Sequence, residues 1–436
     1  MSNLEDVFGV SGKQVGSYVE RGHVDDQFID ALRTDKQIIV YGASKQGKTA
    51  LVRKYIDYDE NIVISLSPRS TLKDIYQSIL RKSGVSLKVS YTEGTGDVSK
   101  VRAKASIQGA VALVLKAKVE TGLDKESSSK IEEKFDEIDF NLELPDDVAD
   151  LINRVGQKKV IILENFHYLP EDLQRAFSFD LRTFQDLKVR FVILGIWKEA
   201  NRLAQFNGEL QDRIVEVPVE PWLDDDFRRI VQKGSALLNI EFNERIIAEC
   251  ILNAFESVGV FQELLKSTCQ ECNILKGSPQ QFIINDMSAL KRAISKKTIE
   301  YSGRHLRSLE AIASGNGVVI QKDSPLPYFL HYYIVTHILD IGLDGFNGGV
   351  SREALLHAIK QKHHRKDDLK GAQLTAVLKG LAELQSGKGI SPPVIAYDSN
   401  SRQLKVVDST FYFFLKNADL KEIKDEIICP MDVADR

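Results

Sequence analysis

The sequence predicts an α/β fold: a doubly wound parallel sheet, then a helical unit, then a small C-terminal unit of helices and a hairpin. Three observations carry this. A short apolar run, Gln37-Ile38-Ile39-Val40-Tyr41, leads through a glycine-containing loop into helical spacing at residues 50–56. Further apolar runs alternate with helical stretches as far as Pro221-Trp222, the pattern of strands joined by crossover helices. From Asp224 the spacing is all helical until an alternating stretch at residues 394–407. At 436 residues the chain is too long for one ordinary domain.

The loop after the first strand reads Gly42-Ala43-Ser44-Lys45-Gln46-Gly47-Lys48-Thr49, and Ala50 continues the helix behind it. Gly, four residues, then Gly-Lys-Thr between a strand and a helix is the P-loop, a phosphate site. Gly42 and Gly47 permit backbone angles closed to other residues and let main-chain N–H groups close around phosphate oxygens. The helix points its positive end at the same anion. Lys48 would reach the β- and γ-phosphates, and the Thr49 hydroxyl would ligate Mg²⁺. Ser44, Lys45, Gln46 and Ala50 complete the expected cradle.

Helical spacing at residues 24–32 precedes this strand. A second strand is expected at residues 61–66, then a helix from 71 to about 82 with Leu72, Ile75, Ile79 and Leu80 on one face. Residues 83–142 turn Ser-, Gly- and Lys-rich, with alternation at 101–107 and 116–120, and read as an inserted hairpin ending in a charged stretch at 124–133. Its apolar run at 109–115 suits a protected strand, or one that docks on a partner or membrane. The core resumes with a helix at 146–155 and the run Val160-Ile161-Ile162-Leu163-Glu164. A buried strand that delivers a carboxylate to the sheet's C-terminal edge, where it holds a Mg²⁺ shell, is the Walker B motif. A helix at 171–184, a strand at 189–197 and a further strand ending at Val217 complete a doubly wound P-loop NTPase core.

This ordered set resembles AAA+-type ATPases of the STAND and origin-initiator branch. The residues that carry the likeness are the P-loop, Glu164-Asn165-Phe166-His167-Tyr168-Leu169, Leu194-Gly195-Ile196-Trp197 and Asp212-Arg213-Ile214. Bacterial members of this kind include ATP-binding switch proteins, several associated with antiphage defence. The resemblance covers roughly residues 15–300, and the C-terminus by architecture only. It implies ATP or ADP with Mg²⁺ as ligands, Glu164 in the magnesium-side acidic role and Trp197 near the γ-phosphate. Arg213 stands where such proteins carry an arginine that contacts the nucleotide or reaches a neighbouring subunit's phosphate. A surface ion pair with Glu209 or Asp212 is the alternative. Tyr18 and Val19 precede the first core helix, where the family packs a short segment over adenine; a plain core role would suit them equally.

One position departs from the family pattern. A second acid usually follows the magnesium acid and orients the attacking water, and here that position is Asn165. An amide can position water but cannot take its proton. His167 could substitute. Slow hydrolysis of ATP to ADP and phosphate follows, which suits a switch better than a motor.

Helical spacing at 225–238, 244–255, 258–272 and 280–295 resembles the nucleotide-sensing helical lid of this family, giving a core over 1–222 and a lid over 223–300. Ser257-Val258-Gly259-Val260 stands where lids often contact phosphate, and names no phosphate ligand. Residues 301–327 read as a connector. Residues 328–420 read as a winged helix: helices at 328–341, 351–362 (Ser351 as N-cap) and 371–384, then a hairpin turning at Asp398-Ser399-Asn400-Ser401. Phe411-Tyr412-Phe413-Phe414-Leu415 reads as core. The third helix, the one that would enter a DNA groove, offers only Lys379 against Glu383. The cluster Lys360, Lys362, His363, His364, Arg365, Lys366 and Lys370 would hold phosphates without reading sequence, or lie solvated as a loop.

Net charge is −4, so no global basic field draws the chain to nucleic acid. No apolar run reaches the roughly 20 residues that span a bilayer, and Met1-Ser2-Asn3-Leu4-Glu5-Asp6 lacks the regions of a signal peptide, so a cytoplasmic protein without membrane partners is expected. Cys269 and Cys272 form a C-x-x-C with no second pair, which favours reduced thiols over a zinc site. Two functions compete: an ATP-dependent switch that associates on activation and controls a separate effector protein, and an ATP-dependent DNA-binding initiator or loader. A nucleotide-bound scaffold without turnover, suggested by Asn165, is a third.

Overall fold

In the computed structural model the described residues are all but 11–13, 91–101, 108–140, 142, 157–158, 198–199, 318–324, 347 and 435–436. Among the described residues, seven strands precede residue 220: β1 (Gln37–Tyr41), β2 (Ile62–Ser65), β3 (Val85–Ser90), β4 (Arg102–Ile107), β5 (Ile161–Glu164), β6 (Phe191–Gly195) and β7 (Ile214–Pro218). Five of them form one all-parallel sheet in the order β2-β5-β6-β1-β7. Parallel pairing requires crossovers, and the helices that supply them cover both faces. Alternation along β1 shows this. Ile38 and Val40 pack with Phe28, Leu51 and Val52, whereas Ile39 packs with Ile75, Ile79, Phe177 and Phe184 on the other face. β1 sits between β6 and β7, so connections diverge at its C-terminal end and leave a crevice there.

Strands β3 and β4 form an antiparallel hairpin apart from this sheet, paired from Val85↔Ile107 to Ser90↔Arg102. The other features expected within 83–142, at 109–115, 116–120 and 124–133, lie outside the described residues.

Helices Asp224–Leu238, Glu244–Ala254 and Val258–Glu271 follow, the last two capped by the Asn243 and Ser257 side chains. The helix expected at 280–295 is displaced. Phe282–Ile284 is instead a strand, β9, parallel to β8 (Ile240–Phe242), and the helix runs Met287–Ala313. The Asp286 side chain caps it, and Leu290, Ala293, Tyr301, His305, Leu309 and Ile312 keep one buried face far beyond residue 295. The expected connector at 301–327 therefore begins as the second half of this helix.

The C-terminal unit starts with Leu330–Phe346, kinked at Gly342, and Arg352–Lys362, whose Ser351 cap accepts from the Ala354 amide. The single helix expected at 371–384 is two, Gly371–Lys379 and Leu381–Gly387, which meet at Gly380. Strands β11 (Ile395–Asp398) and β12 (Gln403–Val406) form the expected hairpin, and β10 (Val350–Ser351) adds to β12. Helix Ser409–Asn417 buries Phe411, Phe413, Phe414 and Leu415 as core. Met287–Ala313 packs on both Val258–Glu271 and Ser409–Asn417, tying the C-terminal unit to the helices before it. No helix among the described residues is long and apolar enough to cross a membrane.

Candidate nucleotide site

The P-loop leaves β1 through a backbone that only a few residue types tolerate. Gly42 has φ 151°, Lys45 60° and Gly47 85°, and Gly47 caps helix Lys48–Tyr55 in the left-handed region. A Cβ on Gly42 would lie 2.7 Å from Val219 Cγ2, so the crowding also demands glycine. Glu220, just past β7, braces the loop: one carboxylate oxygen accepts from the Ala43 amide (2.8 Å), the other from Gln46 Nε2 (2.8 Å). Trp222 Nε1 donates to the Gln46 carbonyl at 3.3 Å. Lys48 Nζ donates to the carbonyls of Gly42 (3.0 Å) and Ala43 (2.6 Å). Burial pushes its pKa down to about 8, opposed by the Glu220 charge.

A cavity of about 310 Å³ opens over this loop. Lys45, Gln46, Gly47, Lys48, Thr49 and Ala50 form its floor. Glu164, Asn165 and His167 line it from the end of β5 and the turn beyond. Tyr18 and Val19 line it from the segment before the first core helix, with Arg21 and Trp222. The Tyr18 hydroxyl donates to Asp25 Oδ1 (2.9 Å), as does that of Tyr55 (2.9 Å), which fixes the ring's pose. Arg21 is buried, stacks its guanidinium on Trp222 (3.7 Å) and donates to the Val219 carbonyl (2.8 Å). Size, glycine-shaped loop and buried ammonium fit a phosphate-bearing small molecule, since such sites run to roughly 300–1,000 Å³. Thr49 and Glu164 present hard oxygen donors, the chemistry Mg²⁺ takes, and would hold it beside the phosphates as a charge-neutralising Lewis acid.

Glu164 is held on both oxygens. Tyr58 donates to Oε1 (3.1 Å) and Ser65 Oγ to Oε2 (3.1 Å). Burial and the Glu164 charge raise the Tyr58 phenol well above its ordinary value, so it stays a donor. Asn165 adopts φ 62°, ψ 35°, a left-handed conformation that asparagine tolerates, and turns the chain into the short helix Phe166–Tyr168. Both His167 ring nitrogens are buried without a hydrogen-bond partner among the described residues. Burial pushes this imidazole down to about 3, and the charges of Lys48 and Arg202 add to the effect.

Four predicted residues stand elsewhere. Gly42 shapes the loop but does not line the cavity, and Ser44 faces the C-terminal unit. Trp197 folds back over Gly195, where a Cβ would lie 1.6 Å from its indole, and is buried against Tyr41 and Phe166 rather than in the cavity. Arg213 lies at the opposite edge of the sheet: its carbonyl accepts from the Gln37 amide (3.0 Å) where β1 begins, and its guanidinium pairs with Asp186 rather than Glu209 or Asp212.

Sequence reasoning missed the residues that reach the P-loop from afar. The Gly259 amide donates to the Lys45 carbonyl (3.0 Å), and that of Val258 to Gln46 Oε1 (3.4 Å). From the C-terminal unit, the Val407 carbonyl accepts from the Ser44 amide (3.3 Å) and Ser409 Oγ donates to the Ser44 carbonyl (3.0 Å). The Lys45 ammonium lies 5.3 Å from the Tyr301 ring centroid, beside the Arg304–Asp408 ion pair (2.6 Å). None of these residues belongs to a motif; a glycine at 259 is the one signal that could have marked a close approach.

No family model and no curated protein matches the chain. Solved structures with a similar chain path include the Walker-type ATPase paby2304 of Pyrococcus abyssi, at 14% identity and a TM-score of 0.47, over 92% of this chain and 96% of that one. The Aeropyrum pernix ORC1 protein in complex with DNA is 12% identical with a TM-score of 0.37, over 94% and 91%. The Thermotoga maritima RuvB Holliday junction branch migration motor is 12% identical with a TM-score of 0.39, over 91% and 95%. At such values these likenesses carry no weight for the chemistry of this chain.

Proposed function

We propose that this chain is an ATP-binding regulatory switch of the AAA+/STAND type, with slow hydrolysis to ADP and phosphate, that controls a separate effector protein. The single observation that carries the reading is the contact of Val407 and Ser409 with Ser44. A segment near the C-terminus grips the P-loop itself, so a change in the phosphates held there would alter how the C-terminal unit packs. Residues 223–300 would act as the lid and 328–420 as a winged helix that transmits the change, with association of subunits on activation. The effector in this reading is a separate chain, supplied as a partner. The setting, antiphage defence, comes from the family resemblance alone.

The nucleotide content of freshly purified protein tests this, read by chromatography after denaturation, with Lys48→Ala alongside. Adenine nucleotide near one per chain in wild type only is the expected result. An empty site with rapid steady-state turnover would sink the switch and point to a loader or motor.

The DNA-binding initiator reading finds little support in the basic cluster. Lys362 and Lys424 both pair with Asp340, while Arg365 pairs with Asp368, lies over Tyr328 and donates to the Leu326 carbonyl. These cations serve the unit's own packing, and a salt-dependent DNA shift lost on charge reversal at Lys366 and Lys370 would restore the DNA reading.

A further inference from the structure

Beside the P-loop stands a polar side chain that the described residues leave without a hydrogen-bond partner. His167 lines the cavity together with Lys48, Thr49, Glu164 and Asn165. Its Nδ1 and Nε2 are both buried and have no hydrogen-bond partner among the described residues. Buried polar groups are overwhelmingly paired, so an imidazole orphaned on both nitrogens inside a ligand cavity calls for a ligand-side partner. The ring is also held in place. Phe166 on one side of it is fully buried against Phe177 and Trp197, and Tyr168 on the other packs its ring 4.2 Å from the imidazole centroid. A merely structural histidine would donate to a backbone carbonyl or carboxylate, as His363 and His364 pair with the Tyr328 and Pro327 carbonyls.

We infer that His167 is the residue that accepts a hydrogen bond from the attacking water, the task an acid at position 165 would otherwise perform. The inference rests on the ATPase reading above. In the step, the water oxygen forms a bond to the γ-phosphorus while the bond from that phosphorus to the β–γ bridging oxygen breaks, and its electron pair departs on ADP. The water proton passes to the product phosphate, so His167 begins and ends neutral; it orients the water and is not consumed as a base. Its neutral form suits this, because burial beside Lys48 keeps a ring lone pair free at neutral pH. Asn165, whose amide lines the same wall, would hold the water from its other side.

The test uses the full chain, with single-turnover ATP hydrolysis and the Kd of a slowly hydrolysed ATP analogue measured in parallel. His167→Phe keeps ring volume and removes both nitrogens; turnover should fall about 10²-fold while Kd stays within about threefold of wild type. His167→Gln presents an acceptor in different geometry and should recover part of that loss. Wild-type turnover in His167→Phe would overturn the inference, as would a rise in Kd matching the fall in rate, the signature of a structural role. Should His167→Phe fail to fold, His167→Leu decides: turnover about 10²-fold below wild type at an unchanged Kd supports the inference, and wild-type turnover overturns it. A wild-type protein that binds no ATP, or hydrolysis that survives Lys48→Ala, is a distinct outcome that removes the ATPase reading and this inference with it.

Discussion

The Ser409 hydroxyl donates to the Ser44 carbonyl at 3.0 Å, although 365 residues separate the two in sequence. The Ser257 hydroxyl, which caps helix Val258–Glu271, donates to that same Ser409 oxygen at 2.8 Å. One buried hydroxyl thus joins the P-loop, the central helices and the C-terminal unit. Ser409→Ala removes both bonds, and the neutral one to the P-loop is worth about 0.5–1.5 kcal/mol. Release of a fluorescent ADP analogue, followed by stopped flow, should quicken about two- to tenfold. Unchanged release would mean that the contact is packing without coupling.

Gly259 sits where a side chain has no room. A Cβ there would lie 2.4 Å from Lys45 Cβ and 2.9 Å from the Lys45 carbonyl oxygen. The helix beginning at Val258 therefore approaches the P-loop as closely as backbone allows, and Gly259→Ala must push the two apart. Overpacking of this kind costs about 1–3 kcal/mol. Nucleotide affinity by calorimetry should drop about tenfold or more, with secondary structure intact by circular dichroism. An unaltered Kd would show that the two elements yield without strain.

Much of the core was legible because its signals are local. The P-loop string and its flanking strand and helix lie within about twenty residues, and each sheet strand is a short apolar run of its own. Tyr18, Val19, Glu164 and Asn165 do line the cavity with the loop. What was not legible depends on long-range packing. Glu220 and Gly259 reach the loop from 177 and 214 residues away, and no spacing rule connects them to it. Trp197 was misplaced because the missing side chain of Gly195 lets the indole fold back into the core. The helix over Met287–Ala313 was cut short because Lys296, Lys297 and Thr298 interrupt its apolar stripe, although Tyr301 and His305 resume it.

His305 gives the junction a pH dependence. It is fully buried, bonds through Nε2 to Thr410 Oγ1 (2.9 Å), and burial pushes its pKa down to about 4. The charge of Asp408 works against that shift, while Arg304 and Lys45 add to it. Because the folded value lies below the ordinary 6.5, the unfolded chain takes up the proton first. Stability is therefore complete above about pH 6.5, falls as pH drops toward 4 and is flat below, a loss of about 3 kcal/mol from this group. Melting temperature should fall between pH 7 and pH 5, less steeply in His305→Gln. Other histidines with lowered values, His167 among them, contribute in the same direction, so the difference between the two slopes is what counts. Equal slopes would mean that His305 opens to solvent before it titrates.

Arg213 separates two ways of working. In one chain its guanidinium pairs with Asp186 at the edge of the sheet where β1 begins, with the length of that strand between it and the P-loop. It cannot serve the nucleotide of its own chain from there. Arg213 is half-buried and Asp186 exposed, and ion pairs open to solvent add little to stability. Arg213→Ala should therefore leave the melting temperature and the Kd for ADP at wild-type values when the protein is dilute and monomeric. If chains associate so that Arg213 meets a neighbour's phosphates, turnover per chain rises with protein concentration in wild type and stays flat in Arg213→Ala. Turnover independent of concentration in both proteins would confine Arg213 to its ion pair, and weakened ADP binding by the monomeric variant would contradict the placement of β7.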